Sequence, residues 1–122
     1  MLDIAALLII LLALAHSYLG ERYILIRLFR RPDLPKLFGG TAFTTGTLRF
    51  VWHLLTLAWL GFAALLYLAQ RDLLTPTNVL QTIAVMSATS ALLPVVFTRG
   101  RHLSWVVMVV VAGLVWWGGA LK

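Results

Sequence analysis

The sequence predicts an all-α integral membrane protein, with four transmembrane helices in an antiparallel bundle and an amphipathic interfacial segment between the first two. Three observations predict it. Of 122 residues, 61% are hydrophobic and only 11% charged, whereas a soluble domain needs roughly a quarter charged to cover its surface. Four apolar runs, about 2–19, 48–69, 79–97 and 103–121, each approach the ~20 residues an α-helix needs to cross ~30 Å of hydrocarbon. None shows the period-two alternation of barrel strands, so helices are the remaining way to satisfy backbone groups in lipid. The whole chain, 1–122, then reads as one four-helix domain.

The first run carries no basic residue before its apolar stretch, begins with Asp3, and shows no small-x-small cleavage pattern before Glu21. It reads as a retained helix rather than a cleaved signal peptide. The connection that follows, 20–47, is too long for a turn. Its first part has helical periodicity, with Arg22, Arg27 and Arg30 on one arc and Ile24, Leu25, Leu28 and Phe29 opposite, the pattern of a helix at a membrane interface. Pro32 and Pro35 end it. The stretch from Phe38 to Thr47 reads as an irregular loop, with a threonine capping the second run. Between the second and third runs a short connection makes those helices antiparallel neighbours. Pro76 suits a helix start there, with Thr75 or Thr77 as cap. Pro94 predicts a kink in the third run that frees the Ser90 carbonyl. Ala84, Ser87, Ala88 and Ala91 give small-residue spacing for close helix contact, while Asn78, Gln81, Thr82 and Thr89 read as interhelix hydrogen-bonding groups. Gly100 suits the tight turn before the fourth run. Trp105 and the Trp116–Trp117 pair mark the two headgroup layers.

Charge gives the expected orientation. Arg22, Arg27, Arg30, Arg31, Lys36, Arg49, Arg99 and Arg101 lie in or beside the first and third connections, leaving only Arg71 and Lys122 on the other side. The positive-inside rule then puts the basic connections in the cytoplasm of a bacterial-type inner membrane, with both termini on the outer, periplasmic side. The net charge of +6 is accounted for by this orientation and by attraction to anionic lipid, not by nucleic acid. No cysteine is present, which excludes disulfides and thiolate metal sites.

On this topology His16, His53 and His102, from three different helices, share the cytoplasmic side. Arg49, His53 and Thr56 recur at i, i+4 and i+7 and so lie on one face, directed toward the bundle interior where polar groups find partners. Glu21, in an uninterrupted helix, falls away from the arginine arc and needs a cation such as Arg22, Arg49, Arg99 or a protonated histidine. His16 and Glu21 converge only if Gly20 breaks the helix or a ligand sits between helices. Imidazoles with a carboxylate suit a transition metal, so His16, Glu21, His53 and His102 form the expected metal set. Two of the histidines could instead ligate haem.

A second expectation uses the cations. Arg22, Arg49, Arg99 and Arg101, beside the threonine-rich helix start, would hold an anionic lipid, a quinone headgroup or a small anion. A third is an accessory subunit, docking a larger complex or a second copy through its small-residue faces. Four-helix hydropathy at this length resembles that of the small multidrug resistance transporters. The glutamate which that family carries within its first helix has no counterpart here, where the first run holds only Asp3 at its start.

Overall fold

The computed structural model describes residues 1–121; Lys122, counted above with the outer side, lies outside them. The described residues form four helices: α1 (Leu2–Leu28), α2 (Ala42–Gln70), α3 (Pro76–Thr98) and α4 (Ser104–Ala120). The first three are long and apolar enough to cross a membrane, whereas α4 is apolar but has 17 residues. At 1.5 Å per residue α4 is only ~25 Å long.

The interfacial segment expected after the first run is a continuation of α1. Gly20 does not break the helix; Gly20–Leu25 form a π-helical stretch with a wider turn, and α-helical bonding resumes over Ile26–Leu28. Single π turns inside α-helices tend to occur at functional sites. The loop expected between Phe38 and Thr47 is also partly helical, because α2 begins at Ala42. No threonine side chain caps it: Thr41 is the N-cap residue without a cap bond, and Thr44 donates to the Pro35 carbonyl at 2.8 Å. The apolar run marked where the helix becomes greasy, not where it starts.

The start of α3 follows its sequence. Pro76 opens it and Thr75 Oγ1 accepts from the Asn78 amide at 3.2 Å. It ends with Arg99 and Gly100 both at positive φ (53° and 74°), with Gly100 N–H donating to the Val95 carbonyl at 3.0 Å. That is a left-handed C-cap, and a non-glycine residue occupies its first position.

Packing is serial. Each helix rests on its neighbours in sequence, and no Cα of α4 lies within 8 Å of α1 or α2. Neighbours run antiparallel: Ser17 meets His53, and Asp3 meets Arg71 at the far end. The buried apolar residues are mostly alanines, Ala6, Ala13, Ala63, Ala84 and Ala91, with Gly20, Gly46, Gly61 and Gly119 also buried. A Cβ at Gly20 would land in the Trp52 indole, one at Gly46 on the Phe97 carbonyl, and one at Gly61 on Met86. Small residues thus let the helices approach closely, gaining dispersion contacts rather than a thick apolar core. A row of close-packed helices has no central chamber. That is the physical reason why His16, His53 and His102 do not meet in a bundle interior.

The small-residue stripe on α3 is half used. Ala84 and Ala91 are buried, but Ala88 is exposed. The expected polar glue bonds its own helix instead: Thr82 Oγ1 donates to the Asn78 carbonyl and Thr89 Oγ1 to those of Val85 and Met86. Asn78 donates to the Leu73 carbonyl, and Gln81 is exposed.

A candidate polar site at the basic end

Two complementary ladders meet where α1 and α2 carry the basic connections. On α1, Ala13, Ser17 and Glu21 recur every fourth residue and so share a face. On antiparallel α2 the matching rungs are Thr56, His53 and Arg49. Arg49 grips Glu21 at two points, Nε donating to Oε2 at 3.1 Å and Nη2 lying 2.7 Å from Oε1. His53 Nε2 lies 3.1 Å from the same Oε2. An ionised Glu21 can only accept, so Nε2 carries the proton and Nδ1 of a neutral ring becomes an acceptor. Ser17 Oγ lies 2.8 Å from that Nδ1 and donates to it when the ring is neutral. Thr56 Oγ1, 2.6 Å from Ser17 Oγ, then donates to the serine, and the Ala13 carbonyl at 3.5 Å is the alternative acceptor for the same hydrogen. The result is one continuous chain of hydrogen bonds, Arg49–Glu21–His53–Ser17–Thr56.

Serine, histidine and glutamate in this order invite comparison with a nucleophile triad. The surroundings argue against that use. Ser17 Oγ is engaged by Thr56, and the shallow hollow beside it, bounded by Leu14, Tyr18 and Ile26, exposes only apolar atoms.

Of the four expected metal ligands, only His53 and Glu21 come together. His16 Nε2 donates to the Trp52 carbonyl at 3.2 Å, and Trp52 Nε1 donates back to the His16 carbonyl at 3.1 Å. The two rings stack with centroids 4.6 Å apart. His102 belongs to the turn before α4, where Nδ1 lies 2.9 Å from Ser104 Oγ and the ring packs against Phe43 and Phe50. Among the described residues no three His, Cys, Asp or Glu side chains are grouped to hold a metal. The expected convergence of His16, Glu21, His53 and His102 is therefore not formed, because two of the rings are occupied in separate helix-to-helix and turn contacts. A histidine pair for haem would have to draw on a ring already held by the Trp52 carbonyl or by Ser104.

The arginines are redistributed more favourably. Arg49, Arg99 and Arg101 line one cavity of about 260 Å³ at the start of α2, together with Thr45, Gly46 and Thr98. Arg22 is not among them; it borders the apolar hollow beside Ser17. Among the described residues Arg99 and Arg101 have no acidic partner, whereas Arg49 already holds Glu21. The Arg49 guanidinium also lies over the Phe29 ring, 4.9 Å from its centroid. A larger hollow of about 590 Å³ lies between α2 and α3, walled by residues such as Leu57, Leu60, Met86 and Trp116, with no charged residue in its lining.

A second ion pair closes the same helix pair at its other end. Arg71 Nη1 donates to both Asp3 oxygens, at 3.1 and 2.9 Å, and these hydrogen bonds push the Arg71 pKa further above its ordinary value. Gln70 Oε1 accepts there from the Leu2 amide at 3.0 Å.

The spacing of Arg49, His53 and Thr56 announces the α2 face of this site, and the cation that Glu21 requires is supplied by Arg49 with His53 beside it. Ser17, four residues before Glu21 and on the same face of α1, is the member that residue type alone does not mark. Comparison with protein-family models, with curated proteins and with solved structures returns no match for this chain, so its function is argued from the site alone.

Proposed function

We propose that the chain is a multi-pass inner-membrane protein that binds a tetrahedral oxyanion, free or as a lipid headgroup, at its cytoplasmic end. The carrying observation is the cavity that brings Arg49, Arg99 and Arg101 together, two of them without acidic partners among the described residues. Guanidinium groups are matched to carboxylate and phosphate oxygens by planar, bidentate hydrogen bonding. The volume of about 260 Å³ falls below the ~300–1,000 Å³ typical of drug-sized ligands. It suits a small anion or headgroup better than haem or a complete quinone.

Three helices with the length and apolarity of membrane spans support the placement. In this reading the 17-residue α4 also crosses, with Trp105 and the Trp116–Trp117 pair near its two ends as interfacial anchors. The basic connections face the cytoplasm and draw anions, including anionic lipids, toward the cavity. Titration of the purified protein with sulfate and, in a separate arm, with nanodiscs containing phosphatidic acid tests the reading. Saturable binding that falls at least tenfold in an Arg99→Gly/Arg101→Gln variant supports it. Sulfate binding without lipid preference identifies a free anion as ligand, and lipid binding alone identifies a headgroup. Equal binding by the variant and the parent protein contradicts the proposal. Glycine at position 99 keeps the left-handed φ of 53° accessible.

A partner-binding role is favoured by one observation. The serial packing leaves α1 and α4 with a single helical neighbour each, and both present large apolar side chains to their surroundings. A second copy or a larger membrane complex would cover them; crosslinking in native membranes that yields only monomer excludes this role.

A further inference from the structure

Arg49 belongs to two sites at once. It lines the oxyanion cavity and holds the Glu21 carboxylate by two contacts of 3.1 and 2.7 Å. That two-point grip is the geometry a guanidinium offers to an incoming oxyanion. Glu21 therefore occupies Arg49 as a ligand would, and an anion in the cavity competes for the same guanidinium.

We infer that anion entry transfers Arg49 from Glu21 to the ligand, and that His53 takes up one proton to replace the positive charge Glu21 has lost. The inference rests on the oxyanion reading and adds its regulation. The groups facing this exchange are few. Glu21 is faced by Arg49 and His53 from α2. His53 is faced by Glu21 and Ser17 from α1 and by the uncharged Phe97 ring from α3, at 5.9 Å. Arg49 is faced by Glu21, by the Phe29 ring, and across the cavity by Arg99 and Arg101. With Arg49 withdrawn, His53 is the cation source left in contact with Glu21.

The hydroxyl ladder makes the proton acceptable. With His53 neutral, Thr56 donates to Ser17 and Ser17 donates to Nδ1. When a proton from the cytoplasmic water binds Nδ1, that nitrogen becomes a donor to Ser17 Oγ. Ser17 then turns its hydrogen to Thr56 Oγ1, and Thr56 turns its own to the Ala13 carbonyl. Every donor finds an acceptor in both states, and no bond other than N–H is made. A buried ring without such a reversible partner would lose a hydrogen bond on protonation, which is costly in a low-dielectric setting.

Sulfate is the probe, because it keeps its double charge across the working range and any pH dependence then belongs to the protein. Sulfate affinity measured from pH 5.5 to 8.5 should rise about tenfold per unit fall in pH over part of that range, the slope expected for one linked proton. Sulfate addition in weak buffer should also consume protons, read with a pH indicator. Glu21→Gln, which keeps the side chain's shape, should bind more tightly at high pH and lose both the slope and the proton uptake. His53→Gln should bind weakly at every pH. Helical circular dichroism establishes that both variants are folded, and if one is not, proton uptake by the parent protein decides alone. Binding independent of pH, without proton uptake and unchanged in Glu21→Gln, overturns the exchange while leaving the oxyanion site standing. Absence of sulfate binding at all overturns both.

Discussion

The same two helices are joined by an arginine–carboxylate pair at each end, and the two pairs differ in burial and in what lies beyond them. Asp3–Arg71 is open to solvent, with side chains 48% and 44% exposed, and leads nowhere beyond the Tyr67 ring below the guanidinium. Glu21–Arg49 is 30% exposed on both sides, continues through His53, Ser17 and Thr56, and touches a cavity. An exposed ion pair is screened and costs side-chain entropy to hold, so it contributes little. A part-buried pair in a connected network is harder to break, because each partner left behind loses its acceptor or donor. The exposed pair adds little to the helix ends, whereas the part-buried pair can hold alternative states.

Gly20→Leu should break the inner end most severely, since the new side chain collides with the Trp52 indole that stacks on His16. Overpacking of this kind typically costs ~1–3 kcal/mol, and the upper end is expected here, read from denaturant unfolding in detergent. Glu21→Ala comes next, at about 2 kcal/mol, because Arg49 and His53 both lose their acceptor. Ser17→Ala should cost about 0.6 kcal/mol, the typical value for a hydrogen bond between helices in a membrane, and should remove the ordered proton on the ladder. Asp3→Ala should leave the unfolding midpoint unchanged, and raising the salt should not separate it from the parent protein. If Asp3→Ala proves as damaging as Glu21→Ala, the contrast between the ends is lost.

The fold was legible where it depended on composition. Runs such as 79–97 announced α3, and Pro76 after Thr75 marked its first turn, because capping is a local matter. Where the helices extend past the apolar runs, sequence fell short. Thr44, Thr45 and Thr47 resemble loop residues, yet they lie within α2, which continues to Ala42 so that Gly46 can meet the Phe97 carbonyl. Serial packing was not legible either, since nothing local distinguishes a row of helices from a closed bundle. The site was partly visible: Arg49, His53 and Thr56 declared a polar face by their spacing and Glu21 called for a cation, but which cation it meets, and the place of Ser17, became evident only once α1 lay antiparallel to α2. His16 and His102 misled for a related reason. A histidine's residue type signals a possible ligand, while its actual partners, the Trp52 carbonyl and Ser104, are set by packing.

How the His53 ring is bonded decides whether the ladder exists, and nitrogen-15 magnetic resonance of histidine-labelled protein in lipid reads that directly. The His53 signals are assigned by their loss in His53→Gln. Without anion the expected result is a neutral ring, protonated at Nε2, with an accepting Nδ1 whose shift moves in Ser17→Ala. A ring carrying its proton on Nδ1, or an Nδ1 signal indifferent to Ser17→Ala, would contradict the ladder and the exchange built on it.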